Sequence, residues 1–169
     1  ATNIERNLYL SLQLIELNIP MVIALNMMDE VRANGGTIRI SEFQNAIGVP
    51  VVPIAASRNE GVEELIENVI KVAQEKRYPK RQDFCSGAVH RTIHSIAHLV
   101  EDHAERLHMP PRFAATKLVE GDQPIEKALG LSENERDMID HDVTEMENVL
   151  HTDREAALAD MRYTFIEKL

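Results

Sequence analysis

Asn26 and Asp29 stand three positions apart in "NMMD", directly after the apolar run "MVIAL". A carboxylate at such a place accepts two parallel hydrogen bonds, one from a ring N–H and one from an exocyclic amino group. Guanine offers that edge at N1 and N2, and adenine does not. A site built on Asp29 therefore favours guanine, because the wrong base leaves a donor or acceptor unpaired. Asn26 has the chemistry to brace neighbouring loops. A backbone N–H from "AAS", residues Ala55, Ala56 and Ser57, has the chemistry to donate to the guanine carbonyl. The same residues can also do no more than close a buried strand, with Asp29 opening the short helix "DEVRAN". Spacing alone leaves both readings open.

A second constellation is the row His90, His94 and His98 in "HRTIHSIAHLVEDH". Two histidines four apart on a helix can share a metal ion. Three in line span two turns, so one ion does not easily reach the first and third. The expected role is a solvated or packed helix face beside Ile93, Ile96 and Ala97, with no metal ligand assigned. Cys85, the single cysteine, is expected to be an ordinary thiol near a linker, and it excludes an internal disulfide. The acidic stretches "EDHAE" and "SENERDMIDHD" read as solvated helix faces.

The elements that must position Asn26, Asp29 and "AAS" follow from periodicity. Ile4, Leu8, Leu12 and Ile15 share a helical face over 3–17, with Thr2 or Asn3 as cap; Asn18 can take the left-handed position that ends the helix, and Pro20 forbids its continuation. "MVIAL" (21–25) has the branched, continuous apolar character of a parallel strand. "NGGTIRI" is a turn with at most a short extended piece, and "SEFQNAIG" a helix from Ser41 stopped by Gly48. "VPVVPIAA" is a second buried strand, kept short by Pro50 and Pro53. Val62, Leu65, Ile66, Val69, Ile70 and Ala73 then form one stripe of a helix over 61–76. Strand, helix, strand, helix is half of an open α/β sheet, whose ligands collect beyond the carboxyl ends of the strands. Both "NMMD" and "AASRNEG" lie there.

After "EKRYPKRQDF" no strand pattern remains. Helices are expected over 86–108, 112–119, 124–129, 133–150 and 153–168. Ser132 with Glu135, and Thr152 with Glu155, have the form of capping boxes. The expected fold is therefore α/β followed by all-α: a small parallel sheet of two strands with flanking helices over 1–78, and a small helical bundle over 79–169.

The 169 residues carry 28 acids against 18 bases, a net charge of -10. That balance opposes a nucleic-acid partner, which requires local cationic excess; "EKRYPKR" is the only basic cluster and reads as a solvated linker. No apolar run approaches a membrane span, and the N-terminus lacks a signal-peptide pattern. The chain begins without Met at a helix cap, as a piece of a longer protein would.

The segments "ATNIERNLYLSLQLIELNIPMVIALNMMDE", "VPVVPIAASRNEGVEEL", "ATKLVEGD" and "MRYTFIEKL" together resemble the bacterial ferrous iron transport protein B (FeoB) family, over essentially the whole chain. The resemblance implies the downstream half of a P-loop-GTPase-like domain, then a helical domain thought to favour GDP binding (GDP-dissociation-inhibitor-like), and beyond it a membrane iron-transport domain. It implies a nucleotide site of Asn26, Met27, Met28, Asp29, Ala55, Ala56 and Ser57. Met27 takes the place of the lysine of N-K-x-D, and its thioether can pack on the base without the charge. GTP or GDP is the implied cofactor. The implied partner is the membrane transport domain, and the implied location is the cytoplasmic face of the bacterial inner membrane. With the preceding strand absent, the unpaired edge of "MVIAL" and the uncovered apolar faces of the 3–17 and 61–76 helices lead to an expected self-association through the α/β half.

The departures matter equally. Neither G-x-x-x-x-G-K-[ST] nor D-x-x-G occurs, so by the resemblance the phosphate cradle and the Mg2+ site lie upstream of Ala1. The parent is expected to hydrolyse GTP and this chain alone is not, since phosphoryl transfer needs both parts. Two other readings stand beside this one: a helical metal- or protein-interaction module supported by the α/β half, and a GTPase of translation or ribosome assembly, which the acidic charge opposes.

Overall fold

A computed structural model describes residues 4–80 and 85–169. The chain divides into two compact units, Ala1–Gln82 (joined by Leu169) and Asp83–Lys168. Thr2 and Asn3, expected as the first cap, lie outside the described residues, as does Arg81 at the end of the basic cluster.

The first unit runs α1 (Ile4–Glu16), β1 (Ile23–Leu25), α2 (Met28–Ala33), α3 (Ile40–Ile47), β2 (Val51–Pro53) and α4 (Val62–Gln74), with a 3-10 turn at Ala56–Arg58. Leu8, Leu12 and Ile15 bury one face of α1. Asn18 ends that helix at φ 51°. Strands β1 and β2 are parallel neighbours, with Ile23 opposite Val51 and Leu25 opposite Pro53. Each is three residues long. The prolines explain part of this: Pro20 and Pro50 lie just before the strands and lack a ladder N–H. "NGGTIRI" forms no strand, and α3 starts at Ile40. Gly48 stops α3 in the left-handed conformation (φ 79°), and Gln44 Oε1 accepts the Val51 N–H at 3.0 Å, tying this helix to β2.

Helix α4 leaves its apolar stripe uncovered, as expected of a sheet with only two strands. Val72 is its buried residue, while Ile66, Val69 and Ile70 are 54%, 47% and 50% exposed. A sheet of two short strands is too narrow to cover the whole stripe, so α4 meets it along one margin. Leu10 and Leu14 of α1 are exposed as well.

The second unit is helical: α5 (Gly87–Leu99), α6 (Glu101–Arg106), α7 (Pro111–Val119), α8 (Gln123–Leu129), α9 (Glu133–Leu150) and α10 (Arg154–Ile166). The single helix expected over 86–108 is two. Val100 breaks it at φ -103°, ψ 10°, a bend that lets both Val100 and Ala104 enter the core with no exposure. The core also takes Ile93 and Ile96 from α5, Ala114 and Val119 from α7, Val143 and Met146 from α9, and Leu158 from α10. Ser132 and Glu135 form the expected capping box of α9. At α10 the cap is Asp153 and not Thr152: the Asp153 side chain accepts the Ala156 N–H at 2.8 Å. A carboxylate one position along fits that helix start better than the threonine hydroxyl.

Glu120 and Arg162 bring "ATKLVEGD" and "MRYTFIEKL" together. Arg162, 2% exposed, donates to Glu120 Oε1 at 3.0 Å, and Lys117 donates to the other oxygen at 2.6 Å.

Candidate functional site

Because β1 and β2 are parallel neighbours, the chain leaves both at the same rim. Residues 26–29 follow β1 and residues 55–61 follow β2. Asn26 joins the two loops. Its side-chain oxygen accepts the Met27 N–H at 2.8 Å and, across thirty residues of chain, the Ala56 N–H at 3.1 Å. The Met28 N–H donates to the Ile54 carbonyl at 3.1 Å. Arg32 of α2 pairs with Glu60. Asp29, whose side chain is 13% exposed, lies 3.2 Å by its Oδ2 from Nε of Arg58. Four separate links thus fasten one loop to the other.

Local backbone geometry explains why the loops hold their shape. Met27 sits at φ 68°, ψ 31°, ahead of α2. That left-handed turn leaves its side chain 39% exposed at the rim and sends Met28 inward, 9% exposed. The two methionines therefore differ: Met27 presents a thioether to the rim, while Met28 packs in the core with its N–H already engaged. In the second loop, Ala55 and Glu60 exchange hydrogen bonds of 3.0 and 3.2 Å around the 3-10 turn. Asn59 takes φ 56° to close it. Gly61 (φ 72°) then passes so near β2 that a Cβ on it would stand 2.4 Å from the Pro53 carbonyl oxygen. Ala55 is buried, whereas Ala56 and Ser57 are exposed.

Of the seven residues singled out in the sequence, Asn26, Met27, Asp29, Ala56 and Ser57 come together at the rim, while Met28 and Ala55 are buried beneath it. The rim also holds Arg58, Glu60 and Gly61, for which the sequence pattern gives no role. The Gly61 close approach was detectable as a glycine opening an amphipathic helix; the Arg58–Asp29 pair is long-range and leaves no local pattern.

The histidine row lies on α5. Ring centroids are 5.8 Å apart for His90 and His94, and 4.5 Å apart for His94 and His98. His98 faces Glu101 at 3.9 Å. His90 Nδ1 lies 3.3 Å from the Cys85 sulfur, which also accepts from Arg112 at 2.8 Å. Among the described residues no group of three His, Cys, Asp or Glu side chains is arranged to hold a metal ion. The rim after β1 and β2, with its two fastened loops, stands as the candidate site on its own geometry.

Residues 1–69 match the family model for ferrous iron transport protein B, and residues 86–169 match that for the FeoB cytosolic helical domain. The Fe(2+) transport protein A/Fe(2+) transporter FeoB fusion protein of Porphyromonas gingivalis is 30% identical over 97% of the chain. The chain spans only 20% of that protein's length. The Fe(2+) transporter FeoB of Escherichia coli is 46% identical over 65 residues, which is 38% of the chain and 8% of the transporter. Among solved structures, a point mutant of S. thermophilus NFeoB bound to GDP superposes with a TM-score of 0.86 at 32% identity, covering 99% of this chain and 64% of that one. Another, bound to GMPPNP, gives 0.82 at 31% identity with the same coverage.

Proposed function

Because the chain belongs to the ferrous iron transport protein B family, as its G-domain and cytosolic helical domain matches establish, we propose that its α/β unit recognises the guanine base of GTP and GDP. The observation that carries this reading is the placement of the Asp29 carboxylate at the rim, beside a second loop fastened by the Asn26–Ala56 hydrogen bond. Asp29 accepts from guanine N1–H and the N2 amino group. Asn26 holds the loops in register, Met27 packs its thioether on the base plane, and the Met28 backbone anchors the first loop. The Ala55–Ala56–Ser57 segment supplies a backbone donor for the base carbonyl; Ser57 is the member placed to do so, because the Ala55 and Ala56 N–H groups already donate to Glu60 and Asn26. The relatives solved with GDP and with GMPPNP support the ligand class.

Phosphate and Mg2+ chemistry is assigned to no residue of this chain, which carries neither phosphate-loop motif. The reading places the chain within a GTP-regulated ferrous iron transporter of the bacterial inner membrane, on its cytoplasmic face. The helical unit there passes nucleotide state to the membrane-spanning part. We place the domain boundary near residue 79, a few residues before the division of the two compact units at Gln82, and no helix among the described residues is long and apolar enough to cross a membrane. The exposed Ile66, Val69 and Ile70 on α4, with Leu10 and Leu14 on α1, support self-association through the α/β unit when nothing else covers them.

A nucleoside panel tests the base assignment without involving phosphate. Guanosine titrated into the 15N-labelled chain shifts amides of residues 26–29 and 55–58 with a Kd in the millimolar range, about -4 kcal/mol, and adenosine does not. Equal responses to the two nucleosides would overturn the assignment.

A further inference from the structure

Arg58 is not among the residues assigned to the base, yet its guanidinium occupies the group on which that assignment turns. Its Nε stands 3.2 Å from Asp29 Oδ2. The backbone beneath Arg58 is fixed: its N–H donates to Ala55 at 2.9 Å, inside the turn closed by the Ala55–Glu60 hydrogen bonds. The Arg58 side chain is 64% exposed, whereas that of Asp29 is only 13% exposed, so little of the carboxylate is open to any partner. The other guanidinium at this rim, Arg32, is paired with Glu60.

A guanidinium and the recognition edge of guanine are chemically alike. Each presents N–H groups side by side on one carbon flanked by nitrogens, the pattern that a carboxylate accepts in parallel. So little exposed carboxylate cannot serve both at once. We propose that Arg58 is an internal competitor for Asp29: it holds the carboxylate when the base is absent, and must be displaced when guanine binds. It thereby sets the affinity of the site for the base. This rests on the base assignment above and adds to it a residue that acts against binding.

Two consequences follow. A partly exposed ion pair contributes little, about 0.4–1 kcal/mol in the upper part of the range for such pairs, so releasing Asp29 from Arg58 tightens base binding by roughly two- to five-fold. Salt screens the Arg58–Asp29 pair, while guanosine is neutral. The effect of Arg58 is therefore greatest at low ionic strength and fades as salt rises.

The experiment is guanosine titration of the 15N-labelled chain as wild type, Arg58→Ala and Arg58→Lys, at low salt and at about 0.5 M salt. Expected is a Kd for Arg58→Ala two- to five-fold below wild type at low salt, converging with it at high salt, with Arg58→Lys between the two because it keeps a charge but not the fork. Arg58→Ala binding guanosine as wild type does, or more weakly, overturns the competitor while leaving the base site standing. No guanosine-dependent shift at residues 26–29 and 55–58 in any of the three proteins overturns the base assignment and this inference with it. Arg58 is exposed, and an unchanged amide spectrum outside the two loops shows that each variant is folded.

Discussion

The side-chain oxygen of Asn26 receives the backbone N–H of Ala56 at 3.1 Å, and through that bond the loop after β1 is fixed to the loop after β2. The same oxygen accepts the Met27 N–H at 2.8 Å, so one acceptor shapes its own turn and spans to the next strand. Asn26→Ala removes both bonds and is expected to cost the α/β unit about 1 kcal/mol. Asn26→Asp, which keeps an acceptor oxygen, retains most of that stability. Amide hydrogen exchange at Val51 and Val52 of β2 reads the effect within this unit. Unchanged protection in Asn26→Ala would show that the bond does not hold the loops.

Gly61 carries the second loop close against β2. In Gly61→Ala the new Cβ meets the Pro53 carbonyl at 2.4 Å, at a backbone φ of 72° that L side chains rarely adopt. The expected loss is about 2 kcal/mol or more, together with broadening of the amide signals of residues 55–60. A variant as stable as wild type by urea unfolding would contradict the geometry given for that loop.

The architecture is legible in the sequence where the controlling interaction is local. The branched runs between prolines define β1 and β2, Asn18 ends α1, and the Ser132–Glu135 pair starts α9. Even the sharing of one rim by "NMMD" and "AAS" follows once the two runs are parallel neighbours. Features decided at a distance are not legible. Val100 bends the helix after Leu99 because both sides of the bend must reach one core, and Asp153 displaces Thr152 as a cap by a single position. That Val72 is the buried residue of α4 is not legible either, although the exposure of Ile66, Val69 and Ile70 follows from a sheet of only two strands. The pairs Asp29–Arg58 and Glu120–Arg162 join residues 29 and 42 positions apart, beyond the reach of periodicity.

Glu120 and Arg162 hold the end of α7 to α10. Arg162 is 2% exposed, so Glu120→Ala takes the carboxylate from a buried guanidinium and is expected to destabilise the helical unit by about 3 kcal/mol. Glu120→Gln, which can still accept a hydrogen bond, costs less. Urea unfolding followed by far-UV circular dichroism measures both. A Glu120→Ala loss below that of an ordinary surface substitution would show that the pair does not bind these helices together.

Acid weakens the helical unit through Glu135. The Ser132 backbone N–H, then the Ser132 hydroxyl, and more weakly His103 hold its carboxyl at about 2 against an ordinary 4.5, with partial desolvation opposing them. Since the folded value is the lower one, the stabilisation is fully present above pH 4.5 and is lost as pH falls toward about 2. Glu147, held low by the Arg154 hydrogen bond, adds in the same direction. Unfolding of the helical unit should therefore become easier over that window, and Glu135→Gln should flatten the decline without abolishing it. A decline of equal steepness in Glu135→Gln would remove Glu135 from the explanation.

The central claim, that Asp29 reads guanine, is tested most directly by changing what it can accept. Asp29→Asn replaces one acceptor oxygen by an amide donor, and xanthine carries a C2 carbonyl where guanine carries its N2 amino group. Guanosine and xanthosine are titrated into the wild-type and Asp29→Asn chains, with amide shifts at residues 26–29 and 55–58 as the readout. The account predicts that wild type prefers guanosine and that Asp29→Asn reverses the order, each mismatch costing about ten-fold. Equal loss of both nucleosides in the variant, or no change in preference, would contradict it.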